Sequence, residues 1–171
     1  LIIAAFAGSI IFIIGLNLIV ELLDRTLRDA ERTRRLTNMT VLGAFTGNQQ
    51  LKYRGFIKAC NRISAAYTCN RLMQYMKKGH TFHINILSIE KKEGKSFVCQ
   101  YLTEYWKEIG FNVKHLVAGK DFPIDASYLS SGEISFYMGD NDRPDILLLE
   151  YPAIKDNSLP VNLLNKADIN L

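Results

Sequence analysis

The pattern of apolar and polar residues separates an uncharged N-terminal stretch from a longer segment in which strand-like and helix-like patterns alternate. Residues 1–20 contain no charged side chain and are mostly aliphatic. About twenty apolar residues in a helix cross the roughly 30 Å hydrocarbon core of a bilayer. The stretch therefore predicts a transmembrane helix. It begins without Met or a basic residue, which favours the second membrane helix of a longer protein over a secretory signal.

The residues after this stretch are rich in arginine, and this predicts on which side of the membrane they lie. The arginines outnumber the nearby acids: Arg25, Arg28, Arg32, Arg34 and Arg35 stand against Asp24, Asp29 and Glu31. Excess arginine beside a membrane helix marks the cytoplasmic side. We therefore expect residues 21–50, a juxtamembrane helix and linker, and the chain after them to face the cytoplasm.

A helical segment is predicted between this linker and the rest of the chain. Apolar side chains recur at helical spacing over residues 51–77, which is typical of an amphipathic helix or two short ones. Gly79, preceded by two lysines, marks the C-terminal end of this segment, residues 51–79. The short apolar run over residues 40–47 predicts a brief strand or a docking segment.

Residues 80–171 alternate between strand and helix patterns. Apolar runs predict strands at 82–88, 111–117 and 145–150, and helical spacing predicts helices at 95–109 and 159–166. Such an order is typical of a parallel sheet covered by helices on both faces. The predicted fold class is α/β, a P-loop-type parallel sheet flanked by helices and preceded by the transmembrane helix. Another strand pattern opens at residue 167, so we expect this domain to be truncated at its C-terminus.

Composition narrows the function classes. The formal charge of the chain is +4, and part of it lies beside the apolar stretch, so it does not indicate a nucleic-acid partner. The three cysteines are odd in number and lack CxxC spacing, which predicts free thiols in a reducing compartment. The three histidines share no metal-ligand spacing with any cysteine, and we interpret His83 and His115, which lie in predicted strands, as structural.

The polar loop after the first predicted strand carries the main chemical motif. Gly94-Lys95-Ser96 stands between an apolar strand and a helical pattern. In a phosphate-binding loop, backbone N–H groups and the helix N-terminus hold the anion, Lys reaches the outer phosphates and Ser faces a magnesium ion. A complete motif has another glycine six residues before the lysine, where this chain has Ile89. An ordinary loop is therefore the alternative.

The order of these segments resembles the bacterial polysaccharide co-polymerases, the chain-length determinants of capsule and exopolysaccharide export. In that family, a second membrane helix leads into a cytoplasmic bacterial tyrosine-kinase (BY-kinase) domain. Residues 23–28 roughly match the family's L-D-x-T-(I/V)-(R/K) segment, and residues 145–152 resemble its acid-ended strand. The family's S-x-x-x-x-E-G-K-[ST] loop is matched by Ser88, Glu93, Gly94, Lys95 and Ser96.

The resemblance implies roles for these residues and partners for the chain. The matched loop would bind ATP, weakly, with a magnesium ion held by Ser96 and Glu150. The protein would be a homo-oligomer in the bacterial inner membrane, with its domain facing the cytoplasm. It would work with the polysaccharide polymerisation and export machinery.

The chain also departs from the family pattern at positions that matter for catalysis. Val117 and Gly119 stand where the family has two acids that hold magnesium and help to activate the attacking tyrosine. Glu150 replaces the aspartate of the later acidic motif, and two lysines precede the loop in place of the usual glycine-rich approach. The family's assembly motif is not visible in residues 51–77, and no terminal tyrosine cluster is present. We therefore predict a degenerate kinase-like regulatory or assembly domain with no catalytic residues.

Two other functions compete with this prediction. The first is an active tyrosine autokinase, in which Asp121 takes the place of the missing acids. The second is a membrane-tethered P-loop ATPase of the partitioning type. An ATPase of that type places a second lysine near position 90, and Glu90 stands there.

Overall fold

The computed structural model describes residues 2–23, 30–47, 54–131, 134 and 143–171. Three predictions fall partly outside these residues: the segment 23–28 that resembles the co-polymerases, the predicted linker at residues 24–29 and 48–50, and the start of the predicted helical segment at residues 51–53. The chain divides into two compact units, Leu1–Val41 and Leu42–Leu171.

The first unit contains two helices, α1 (Ile2–Leu23) and α2 (Ala30–Thr37). The large apolar side chains of α1 from Phe6 to Val20 are exposed. Across the described ranges, no helix combines the length and the apolar character that a membrane crossing needs. The helix predicted over residues 1–20 is observed as α1. The prediction that it spans a membrane is not confirmed.

The second unit begins with a short segment that packs on helix α3 (Arg54–Leu72). The Asn61 side chain of α3 is buried and bonds both ways to Thr46: its oxygen accepts from the backbone N–H at 2.8 Å, and its amide donates to the carbonyl at 2.9 Å. Gly43 lies so close to α3 that an added Cβ would be 2.2 Å from the Thr68 hydroxyl oxygen. Residues 40–47 were predicted to form a brief strand or a docking segment, and for residues 42–47 the structure shows the docking segment.

Four parallel strands form the sheet: β1 (Phe82–Ile86), β2 (Val113–Val117), β3 (Ile146–Glu150) and β4 (Ile169–Asn170). Their order is β2-β3-β1-β4, and each neighbouring pair is parallel. The predicted parallel α/β sheet is thus confirmed, although β1 and β2 end up on either side of β3.

Helices cover the sheet. After α3 and a 3-10 turn (Met73–Tyr75) come α4 (Lys95–Glu108), α5 (Ala126–Ser131), a 3-10 turn (Ile154–Asp156) and α6 (Val161–Lys166). Every residue of β3 is buried, and its side chains alternate between two cores. Ile146 and Leu148 pack with the α3 and α4 side, while Leu147 and Leu149 pack with the other side. Burial on both faces explains the continuous apolar run that predicted this strand.

Candidate phosphate-binding site

The candidate site lies where β1, β2 and β3 end, at the carboxyl edge of the parallel sheet. Ligands of open α/β sheets bind at this edge because the connecting loops meet there. The β1–α4 loop, residues 87–94, leaves β1 and enters α4 at Lys95. The structure brings all of the predicted site residues to this edge.

The β1–α4 loop is organised by its own side chains. One carboxylate oxygen of Glu93 accepts hydrogen bonds from the backbone N–H groups of Ile89 and Glu90, at 3.0 and 3.2 Å. The Ser88 hydroxyl donates to the Glu90 carbonyl at 2.8 Å. These bonds curl the loop into a tight turn without the glycine that a complete motif has at position 89.

Two residues of the loop have a left-handed backbone conformation. Gly94, the N-cap of α4, has φ +86°, and Lys92 has φ +64°. Glycine adopts positive φ without cost, whereas a lysine there is strained. The glycine of the Gly-Lys-Ser motif is therefore needed for the turn into α4.

Two ion pairs and a backbone hydrogen bond tie the loop to the turn after β3. The Lys155 ammonium lies 2.6 Å from the Glu90 carboxylate, and the Lys91 ammonium lies 3.0 Å from that of Asp156. The Ile154 N–H also donates to the Ser88 carbonyl at 2.9 Å. The ion pairs are exposed and contribute little each, but with the backbone bond they hold the loop beside the end of β3.

Lys95 and Ser96 open helix α4, so their backbone N–H groups precede any helical carbonyl that could accept from them. The positive end of the helix dipole points to the same place. The Lys95 ammonium donates to the Ser88 hydroxyl across the loop. A cation, free N–H groups and a helix N-terminus therefore converge there, which suits the binding of phosphate oxygens.

Glu150 ends β3 and forms the polar centre of the site. It is buried, with 6% of its surface exposed, and both of its oxygens have partners. The Ser96 hydroxyl donates to one oxygen at 2.6 Å, and Nε2 of His115 lies 3.2 Å from the other. Strand β3 thus delivers a carboxylate directly to the first turn of α4.

An open pocket of about 170 Å³ lies over these groups. It is lined by Lys91, Lys92, Lys95, Val117, Ala118, Glu150, Tyr151, Pro152 and Ala153. Sites that enclose a drug-sized ligand usually measure about 300–1,000 Å³. This pocket therefore suits the phosphates of a nucleotide and not its full volume.

The end of β2 supplies no acid to the pocket. Val117 is the register partner of Glu150 and faces the pocket with an apolar side chain. Gly119 has φ +83° in the following turn. The Asp121 carboxylate accepts a hydrogen bond from the Val117 N–H at 2.7 Å, so it closes this turn. The sequence alternative in which Asp121 replaces the missing acids finds no support in this geometry.

Two residues of the site were missed by the sequence analysis, which interpreted His115 as structural and Cys99 as a free thiol. Both are directed at Glu150, and one ligand atom from each of the three residues lies within 4.8 Å of the others. Burial, followed by the negative charge of Glu150, raises the pKa of the Cys99 thiol to about 12. Their spacing offered one clue: Cys99 is three residues after Ser96 on α4, and His115 is two residues before Val117 on β2.

The groups at the site suit the phosphates of ATP better than they suit a magnesium ion. The lysines and the N-terminus of α4 suit phosphates, and the Ser96 and Glu150 oxygens are donors of the kind that magnesium prefers. Magnesium also needs near-octahedral oxygen ligands, whereas the His, Cys, Asp or Glu side chains that the described part of the chain places beside Glu150 are an imidazole and a thiol. The site therefore fits phosphates well and magnesium poorly.

Comparisons with known proteins support the fold. Neither a protein-family model nor a curated protein sequence matches the chain. A solved structure described as the BceF tyrosine kinase domain is similar, with a TM-score of 0.50 and 13% sequence identity. The match covers 74% of this chain and 77% of that one. At this identity the similarity shows a shared fold alone, a parallel sheet flanked by helices.

Proposed function

We propose that residues 42–171 form a degenerate kinase-like domain that holds the phosphates of ATP weakly and does not transfer them to tyrosine. Its role is regulatory or structural, within a bacterial system for polysaccharide synthesis and export. The observation that carries the proposal is a retained phosphate cradle, formed by Lys95 and the N-terminus of α4, beside an incomplete magnesium site. Lys95, Ser96 and Glu150 are assembled, whereas Val117 stands where a second carboxylate is needed.

The lost acids argue against catalysis on physical grounds. Phosphoryl transfer depends almost entirely on positioning and on electrostatic stabilisation by metal ions and charged side chains. Asp121, the remaining nearby acid of this segment, is engaged by the Val117 backbone. When bound, ATP with magnesium would supply the phosphoryl group. This chain would contribute Lys95 and the N-terminus of α4 for binding. Among the residues that the structure describes, Glu150 is the one carboxylate at the pocket wall.

Nucleotide binding is tested by titrating the 171-residue chain, purified in mild detergent, with a fluorescent ATP analogue. We expect weak binding that Lys95→Met reduces about 10-fold or more, because hydrogen bonds from a charged group contribute about 1.5–3 kcal/mol. Lys107→Met is the matched control, since Lys107 lies in the last turn of the same helix. Equal affinities in the wild type and in Lys95→Met would contradict the phosphate site.

The polysaccharide role is supported by the order of segments along the chain and by the kinase-domain fold. It is tested in the source bacterium by deleting the gene and measuring the length distribution of surface polysaccharide. We expect the distribution to change and to be restored by the wild-type gene. An unchanged distribution would contradict a role in chain-length control.

Attachment to the inner membrane, self-association and contact with the export machinery stay predictions. The exposed apolar side chains of α1 and the arginines of α2 support them, because apolar surface of this extent needs a partner or a lipid environment. Fractionation of cells that express the whole protein would test the location. Recovery in the soluble fraction would contradict membrane attachment.

A further inference from the structure

We propose that Cys99, His115 and Glu150 form a binding site for a zinc-like transition metal ion. The ion would be held by one thiolate, one imidazole and one carboxylate. This goes beyond the phosphate-binding role, because the three ligands come from the core of the domain and need no nucleotide.

The three residues come from three different elements that meet at one point. Cys99 lies on α4, His115 on β2 and Glu150 at the end of β3. Cys99 is fully buried, Glu150 is buried and His115 is half-buried. The site is therefore held by the sheet and its covering helix, and the partly exposed His115 side chain leaves it an approach from solvent.

The distances suit a tetrahedral ion. One ligand atom from each residue lies within 4.8 Å of the others, and the His115 nitrogen and the Glu150 oxygen are 3.2 Å apart. Ligand atoms around tetrahedral zinc are about 3.3–3.8 Å apart, as follows from bonds of about 2.0–2.3 Å. Closing the set therefore needs a movement of about 1 Å by the thiol. A water molecule would supply the fourth ligand, as it does in zinc sites with three protein ligands.

The ligand types select the metal. Sulfur and imidazole ligands favour zinc and similar ions, whereas magnesium and calcium prefer oxygen ligands. The Ser96 hydroxyl holds the other Glu150 oxygen at 2.6 Å and so orients the carboxylate. Supporting bonds of this kind fix the ligands of natural metal sites.

Titration of the metal-stripped chain with cobalt(II) tests the site, because a cobalt-bound thiolate gives a charge-transfer absorption band. We expect one equivalent to bind, to show this band and to be displaced by zinc. Cys99→Ala should abolish the band. The matched control is Cys69→Ala, which removes a fully buried cysteine of α3. His115→Gln should weaken zinc affinity at least about 10-fold, the lower end of the loss seen for supporting residues of metal sites.

Several outcomes would overturn the site: no band in the wild type, a band that persists in Cys99→Ala, or a band that is lost in Cys69→Ala. His115→Gln keeps the test decisive if Cys99→Ala does not fold, because this histidine is half-buried and its replacement leaves the core intact. Unchanged zinc affinity in that variant would also refute the proposal. Binding of the ATP analogue without metal is measured separately, so failure of the metal site and failure of the phosphate site are distinguishable.

Discussion

An aspartate at position 117 would restore a carboxylate that we infer this domain has lost, and its effect can be worked out from the sheet register. Val117 pairs with Glu150 on the neighbouring parallel strand, and both line the pocket. Such partners lie about 4.8 Å apart, with side chains on the same face. Two carboxylates about 5 Å apart repel by about 3 kcal/mol at an effective dielectric constant of about 20.

We therefore expect Val117→Asp to be less stable than Val117→Asn by about 2 kcal/mol at neutral pH in metal-free buffer, because the loop lysines offset part of the repulsion. The asparagine variant is the matched control, since it has nearly the same shape and no charge. Urea unfolding followed by circular dichroism measures the difference. Excess magnesium should reduce this difference in stability, because an ion between two carboxylates neutralises their repulsion.

Equal stability of the two variants in metal-free buffer would refute this reasoning. It would mean that residue 117 does not face Glu150, and our explanation for the incomplete magnesium site would then be wrong.

Three further predictions concern the packing of the domain and its thiols. Asn61→Ala should lower the free energy of unfolding of the domain by about 1–3 kcal/mol in urea, because the Thr46 backbone loses both of its hydrogen bonds to this side chain. An unchanged urea midpoint would show that residues 42–47 are not docked on α3. Gly43→Ala should cost about 1–3 kcal/mol through overpacking, and Thr68→Ala should relieve part of this cost in the double variant; strictly additive effects would contradict the contact. Burial raises the pKa of the Cys69 thiol from 9.0 to about 12. Between pH 9 and 12 the thiol therefore loses its proton in the unfolded chain and keeps it in the folded chain, so the free energy of unfolding falls as the pH rises above 9. Cys69→Ala should fall less steeply over that range, and identical slopes would refute the shift.

The sequence predicted the parallel sheet because its signal is local. The run Ile146–Glu150 is apolar at every position before the acid, and only a strand buried on both faces needs that pattern. The position of the β1–α4 loop was predictable for the same reason, since Gly94, Lys95 and Ser96 are adjacent in the chain. Strand order was not predicted, because β1 and β2 follow one another in sequence while β3 lies between them.

Contacts between residues far apart in the chain also explain why part of the site was not predicted. His115 meets Glu150 because β2 pairs with β3, and 35 residues separate them in the chain. The hydrogen bond between Ser96 and Glu150 joins residues 54 apart. The positions of Cys99 near Ser96 and of His115 near Val117 were the one clue along the chain, and they did not reveal these long-range contacts. The interpretation of His115 as a structural residue was therefore incomplete.

The central claim is that the domain keeps a phosphate cradle and lacks phosphoryl transfer. Its most direct test is to incubate the purified 171-residue chain with ATP and magnesium and to measure phosphotyrosine, with Lys95→Met as the reference. We predict that ATP binds in a Lys95-dependent manner and that phosphotyrosine does not rise above the Lys95→Met level. Phosphotyrosine that forms in the wild type and disappears in Lys95→Met would contradict the claim and show an active tyrosine kinase.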